Sequence, residues 1–443
     1  MVAPMKTCSF IAFVFSILTA SCTANLRPAE DTPGIQAPTV NPVSTWEVPS
    51  TLIPTSTSST LNEARWNIYD PDPQHLWNRL FRQLYRRTTD DGREYGWDSL
   101  DPLLWYDTTY LLEGTAYQQA ISILDEFLST RGEDLITDPL RRAIFQRDMW
   151  AVFDWLTVRS DSYPAQSEEL QKRLAQVIRK VALTDDEIRS LPDNYEAAVK
   201  SKSFAPVYQS PDVGFLPADL LHPDSEWVCL GREDGPIAMT HTEGFPFFGR
   251  SVFLVFIRVP GGREATLKFL QELNEKRPST LQLVDTEVAL VRRAMLINDQ
   301  GDIMPSPITE SVQIRHFVYV GESLAVQNFY EFQLNRASLL AGAAGGFQPV
   351  TKEFMLFSSH GDVFQMGRGD DQALVPDICK SCHAGGTLSL SILSYSRFRF
   401  PLPDQGSPVL IQTTPQLEAG TVITWKQKHQ TWQAWETFTN KLH

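Results

Sequence analysis

Two hydrophobic periods divide the chain near residue 203. Before that point apolar residues recur at helical spacing: Leu76, Trp77, Leu80, Phe81, Leu84 and Tyr85; then Leu140, Ile144, Phe153 and Leu156; then Leu170, Leu174, Val177, Ile178 and Val181. Residues 61–202 therefore read as a helical region. Asp72-Pro73 and Asp138-Pro139 each look like an N-cap followed by proline at the first helical position, and Thr184 with Glu187 spells a capping box.

Beyond 203 the pattern changes. Residues 251–259, SVFLVFIRV, form an apolar run of strand length, as expected of a strand buried on both faces. A short helix carrying Leu267, Leu270 and Leu273 follows it. Strands are predicted over 288–297 and 308–320, joined by the turn-rich NDQGD, with a helix near 322–340. The stretch 352–366 predicts a hairpin turning at 359–362, and the final 25 residues predict one aromatic amphipathic helix. The expected class is α+β, with a helical N-terminal half and a mixed, β-rich C-terminal half, 203–443.

The N-terminal segment has another character. Lys6 precedes an apolar run over 10–20 that is too short to span a membrane comfortably, and small residues lead to Cys22. This ending resembles a bacterial lipoprotein signal. The resemblance implies removal of 1–21, acylation of Cys22, export to the periplasm or cell envelope, and a lipid anchor in a membrane. Residues 22–60 are rich in Pro, Ser and Thr and bury too little apolar surface to offset their ordering entropy, so they read as a disordered tether.

Composition narrows the partners. A net charge of −14 argues against a nucleic-acid binder, which needs clustered Lys and Arg. Of five cysteines, Cys8 leaves with the signal and Cys22 takes the lipid. Cys229, Cys379 and Cys382 remain, which is no disulfide framework.

Two of those three stand in one pentapeptide, Cys379-Lys380-Ser381-Cys382-His383. Thiols one helical turn apart can add across the two vinyl groups of one porphyrin, and the adjacent histidine then falls beneath the iron. Asp377 and Pro376 just upstream suit a short helix start, and Gly385-Gly386 suit its end. The motif resembles the haem-attachment site of c-type cytochromes. That resemblance implies one covalent haem c, thioether bonds at Cys379 and Cys382, and His383 as proximal iron ligand. Small c-type cytochromes supply a distal methionine downstream, whereas no methionine follows His383 here. Candidates for the distal position are His429 on the predicted C-terminal helix, His316 on an inward strand face, His360 in the predicted turn and Met366; the position can also stay open. Arg397 and Arg399 are candidates to pair with propionates.

Other chemistries fit the pentapeptide less well. A structural zinc site wants a fourth ligand, for which lone Cys229 is the available sulfur. A thioredoxin-like pair wants a βαβ context, and a plain disulfide wants nothing else. The expectation is an exported, lipid-anchored mono-haem c-type protein in electron transfer with a redox partner protein. A haem-dependent oxidoreductase or peroxidase with an open distal site is one alternative, and a non-catalytic anchored binding or scaffold protein is another.

Overall fold

The computed structural model describes residues 64–88, 92, 94–98, 100, 108–159, 161, 163–244, 246–275, 284–320, 325–350, 354–356, 372–374 and 409–440. All belong to the unit Thr60–His443. The helical half opens with α1 (Leu76–Tyr85), followed by the two-residue strands β1 (Arg87–Thr88) and β2 (Glu94–Tyr95), which pair antiparallel. Then come α2 (Gly114–Ser129), α3 (Pro139–Arg159), α4 (Pro164–Lys180), α5 (Asp185–Arg189) and α6 (Asn194–Ser201). The predicted apolar stripe of α1 is buried in full.

Two of the predicted starts hold. Asp138 Oδ1 accepts from the Arg141 N–H at 2.8 Å, and both halves of the Thr184/Glu187 capping box form. The first start is displaced. Asp72 Oδ1 accepts from the Gln74 N–H in a turn, and α1 begins at Leu76 behind His75, whose Nδ1 accepts from Trp77 N–H. Asp72-Pro73 makes a local turn instead of a cap, the competing use of aspartate before a helix.

The β-rich half is built on one seven-stranded antiparallel sheet. Its strands are β3 (Val228–Arg232), β4 (Ser251–Arg258), β5 (Thr286–Ile297), β6 (Ile303–Val320), β7 (Ala325–Leu334), β8 (Phe347–Pro349) and β11 (Leu410–Gln412). They lie in the order β11-β3-β4-β5-β6-β7-β8. A separate pair, β9 (Phe354–Leu356) and β10 (Gln372–Leu374), runs antiparallel. Helices α7 (Met239–Glu243), α8 (Gly262–Asn274) and α9 (Arg336–Leu340) connect strands, and α10 (Pro415–Lys428) and α11 (Gln430–Asn440) follow β11. The mixed α+β class expected from the sequence is what the fold shows.

Strand β4 explains why the sheet sits where it does. Val252, Leu254 and Phe256 face the helices and share a core with Trp150 and Phe153 of α3. Phe253 and Ile257 face the other way, onto Phe269 and Leu270 of α8. Burial on both sides is the reason for its unbroken apolar run.

Two predicted helices are corrected. Residues 325–334 form β7, not helix. Tyr330 and Phe332 pair with Ile314 and Val312 of β6, so aromatic residues alternate inward and Glu331 and Gln333 point to the opposite face. The long β6 edge rewards that period-2 pattern more than local helix propensity does. The C-terminal helix is two helices, broken at His429, whose ψ of 145° is extended. The break turns α11 so that Trp432 meets Trp150 and Trp435 meets Phe153, with centroids 6.2 and 5.7 Å apart. The hairpin turn predicted at 359–362 lies outside the described residues.

Asn194, at the start of α6, joins the two halves. Its Oδ1 accepts from Thr309 N–H at 2.7 Å, and its Nδ2 donates to the carbonyls of Thr309 and Gly345 at 2.9 and 3.0 Å. Gly345 has φ +66°, and a Cβ there would lie 2.0 Å from the Asn194 carbonyl oxygen. Gly345→Ala is therefore expected to cost on the order of 3 kcal/mol, from strain and overpacking together. Urea denaturation monitored by circular dichroism measures it as a lowered midpoint.

Candidate functional site

Cys22, Cys379, Cys382 and His383 lie outside the described residues, as do His360, Met366, Arg397 and Arg399. His429 and His316 are described, and their surroundings differ.

His429 sits at the junction of α10 and α11, half-buried. Its ring stacks on Trp425 with centroids 4.9 Å apart and lies 6.3 Å from Phe248. Lys426 Nζ donates to Thr431 Oγ1 at 2.6 Å. Thr431 then faces His429 Nδ1 through its hydroxyl at 2.9 Å and its N–H at 3.3 Å. An N–H aimed at Nδ1 makes that nitrogen the acceptor, so the proton of the neutral ring belongs on Nε2. Burial, and then the Lys426 ammonium, push the imidazolium down to about 4. For Nε2 to bind a metal, the ring proton has to move to Nδ1 and Thr431 has to turn.

His316 is enclosed. It lies on β6 opposite Asn328, stacked on Tyr208 with centroids 3.7 Å apart, and Nε2 is 3.3 Å from Asp285 Oδ1. Burial pushes its pKa down against the opposing pull of Asp285. Nε2 can take a new ligand only by displacing Asp285, while Nδ1 is buried without a hydrogen-bond partner among the described residues. The inward face predicted for it is the one it occupies, with Val312 and Ile314.

The sequence reading missed a buried ionic cluster organised by α3. Asp154, wholly buried, accepts from Arg250 Nη1 at 2.8 Å and from Lys426 Nζ at 2.6 Å. Lys426 also donates to the Phe248 carbonyl at 2.8 Å. Two turns back, Arg147 bridges Glu310 at 3.1 Å and donates to Ser251 Oγ at 2.9 Å, while Ser251 donates to Glu310 at 2.5 Å. Arg292 Nε stands 3.6 Å from the same carboxylate. The neighbouring Asp148 takes a two-point contact from Arg336 at 2.6 and 3.0 Å and a hydrogen bond from Tyr69 Oη at 2.8 Å. Arg336 lies over the rings of Phe81 and Tyr85, 5.0 Å from each.

A signal for this cluster was present in the sequence. The run 143–156, AIFQRDMWAVFDWL, is apolar on every helical face, which marks a helix buried all round. Charges at 147, 148 and 154 inside such a helix must then be paired. What the sequence does not carry is the identity of their partners, which come from 96, 104, 188 and 272 positions away.

These ions position the C-terminal helices. Burial pushes the Lys426 ammonium down to about 8, with Asp154 opposing and Arg250 assisting. Thr431 extends the chain of contacts from Asp154 through Lys426 to the His429 ring. At the other end of α10, Glu418 accepts from the Ile237 N–H at 2.7 Å, and burial raises its carboxyl to about 7. Cys229 is a free, buried thiol pushed up to about 12, first by burial and then by Glu418, which makes it unreactive near neutrality.

Among the described residues no helix is long and apolar enough to cross a membrane, and no group of three or more His, Cys, Asp or Glu residues is placed to hold a metal ion. No family model, curated protein or solved structure matches this chain.

Proposed function

We propose that the chain is an exported, lipid-anchored protein that carries one covalent haem and acts in electron transfer. Cys379 and Cys382 would hold the porphyrin, His383 the iron, and Cys22 the lipid. The observation that carries this reading is the pentapeptide Cys-Lys-Ser-Cys-His in a chain whose first residues resemble an export signal. When bound, the haem supplies an iron that cycles between oxidation states at a potential set by axial ligands, burial and hydrogen bonds. The chain's own part is to hold that iron and to shape its far side.

A second reading, a haem-dependent oxidoreductase or peroxidase, has one observation in its favour. The Thr431 N–H directed at His429 Nδ1 leaves the proton on Nε2, so His429 as it stands offers no lone pair to an iron. An iron that took no other distal ligand would then be open on one side.

The test begins with protein made in a host that matures cytochromes c. Covalent haem should survive denaturing electrophoresis, and Cys379→Ser with Cys382→Ser should remove it. A polypeptide mass without haem ends both readings. With haem present, a low-spin six-coordinate spectrum that turns high-spin in His429→Ala supports electron transfer with His429 on the distal side. A wild-type iron that is high-spin and binds carbon monoxide supports the enzyme.

A further inference from the structure

Helix α1 and the strand that follows it carry four arginines, Arg79, Arg82, Arg86 and Arg87, and residues 73–88 contain no Asp or Glu. In a chain with 53 acidic and 39 basic residues, that run reverses the local sign of charge. The apolar stripe of α1 is turned into the core, so Arg79, Arg82 and Arg86, at i, i+3 and i+7, share the face opposite. That face borders an open cleft of about 790 Å³, a volume usual for a small-molecule site. Arg87 and Tyr110 line the cleft as well, with Gln119, Ser122 and Ile123 of α2. Among the described residues its lining holds four guanidinium groups and no carboxylate.

Neighbours fix these groups in place. Glu126 accepts from both terminal nitrogens of Arg79, at 2.7 and 2.8 Å, and Arg82 donates to the Pro73 carbonyl at 2.7 Å. Glu94 joins Arg86 and Arg65. Arg87 is 3 % exposed, lies over the Tyr110 ring at 4.3 Å and reaches Thr108 Oγ1 at 3.4 Å. Neither Glu126 nor Glu94 lines the cleft. A guanidinium has five N–H groups, so one held along a single edge can offer another edge to a ligand. Holding it beforehand also lowers the ordering cost of binding.

We propose that this cleft binds a small polyanion, a compound with two or more phosphate or carboxylate groups. The planar fork of arginine matches either oxyanion. From Arg79 to Arg86 the helix rises about 10 Å, at about 1.5 Å per residue. That row is longer than one phosphate or carboxylate, so more than one charged group is needed to meet it. Gln83, Gln119 and Ser122 add neutral hydrogen-bonding groups to the lining. The chain's net charge of −14 works against loose anion binding elsewhere on the surface. No residue of the haem motif takes part, so this site and the proposed function stand or fall separately.

Isothermal titration calorimetry of the full chain, with inorganic tripolyphosphate and separately with citrate, tests the site. At least one of the two should bind at a single site. Gln119→Glu places a carboxylate in the cleft from an exposed position of α2, away from the core, and should weaken that binding at least about tenfold. Ser122→Glu, also from an exposed position, should do the same and serves if the first variant does not fold. Gln412→Glu puts the same charge on β11, at the edge of the sheet, and should leave the affinity within about twofold. Tripolyphosphate bound without citrate identifies a phosphate ligand, and the reverse a carboxylate ligand. Binding of neither overturns the proposal. So does binding that the cleft variants leave unchanged, or that Gln412→Glu weakens as much as they do.

Discussion

Asp154→Ala should lower the stability of the protein by about 3–5 kcal/mol, the range for removing one partner of a buried pair. The lost carboxylate is the acceptor of both Arg250 and Lys426, each 1 % exposed or less at its side chain. Without it, two cations stay in a setting that water does not reach. A guanidinium cannot shed its proton, so Lys426 would have to give up its own or withdraw α10 from the core. The Trp432–Trp150 and Trp435–Phe153 contacts move with α10 and α11, so tryptophan fluorescence and near-ultraviolet dichroism should change together. A denaturation midpoint like that of the unaltered protein would show that Asp154 is not the anchor. Asp154→Asn, which keeps hydrogen-bond acceptance and loses charge, should fall between the two.

Lys426→Met gives the second large effect, and its sign depends on pH. The folded pKa of Lys426 lies near 8, below the usual lysine value of 10.5. Between those two values the unfolded chain holds the proton that the folded chain has released, so stability rises with pH across that window. The contribution of this group is fully present above 10.5 and is lost as pH falls through 8. Plotted against the methionine variant, in which the titration is gone, the unaltered protein should gain about 3 kcal/mol from pH 8 to pH 10.5. A flat difference would mean that Asp154 and Thr431 hold the ammonium charged throughout. Burial sets the direction, and cation crowding adds to it. Among the described residues Arg147, Arg250, Arg292 and Lys426 surround two carboxylates, and the amine is the one cation able to lose its charge.

The sequence made the fold legible where one period dominated. The α1 stripe, the doubly buried β4 and the capping box at Thr184 all follow from local pattern, and all are found. Residues 325–334 defeated that logic because their partner, β6, is a tertiary fact that overrides propensity. The helix break at His429 escaped for a related reason. Nothing local ends the helix there; the turn is set by where Trp432 and Trp435 must land. The site divides in the same way. A covalent motif such as Cys379–His383 is written in adjacent letters, whereas the Asp154 cluster is assembled from distant elements and left only an oddity in the sequence, charges inside an all-apolar helix. The aromatic neighbours that mark His429 in the sequence include Trp425, which stacks on it. Its hydrogen-bonding state depends on Lys426 and Thr431, whose roles follow from the break.

The Asp154–Lys426 contact spans 272 positions, and that span has a consequence for how the molecule is made. During synthesis α3 emerges long before α10, so its carboxylate must wait for an amine that arrives much later. A chain broken off before residue 410 would have the helical half and most of the sheet but would lack that amine, and it would also lack β11 along the free edge of β3. Such a fragment would expose an unpaired strand and a misplaced charge together, the features by which proteases and chaperones find unfinished chains. The contact that locks the fold thereby also reports that the chain has been read through to its C-terminal helices.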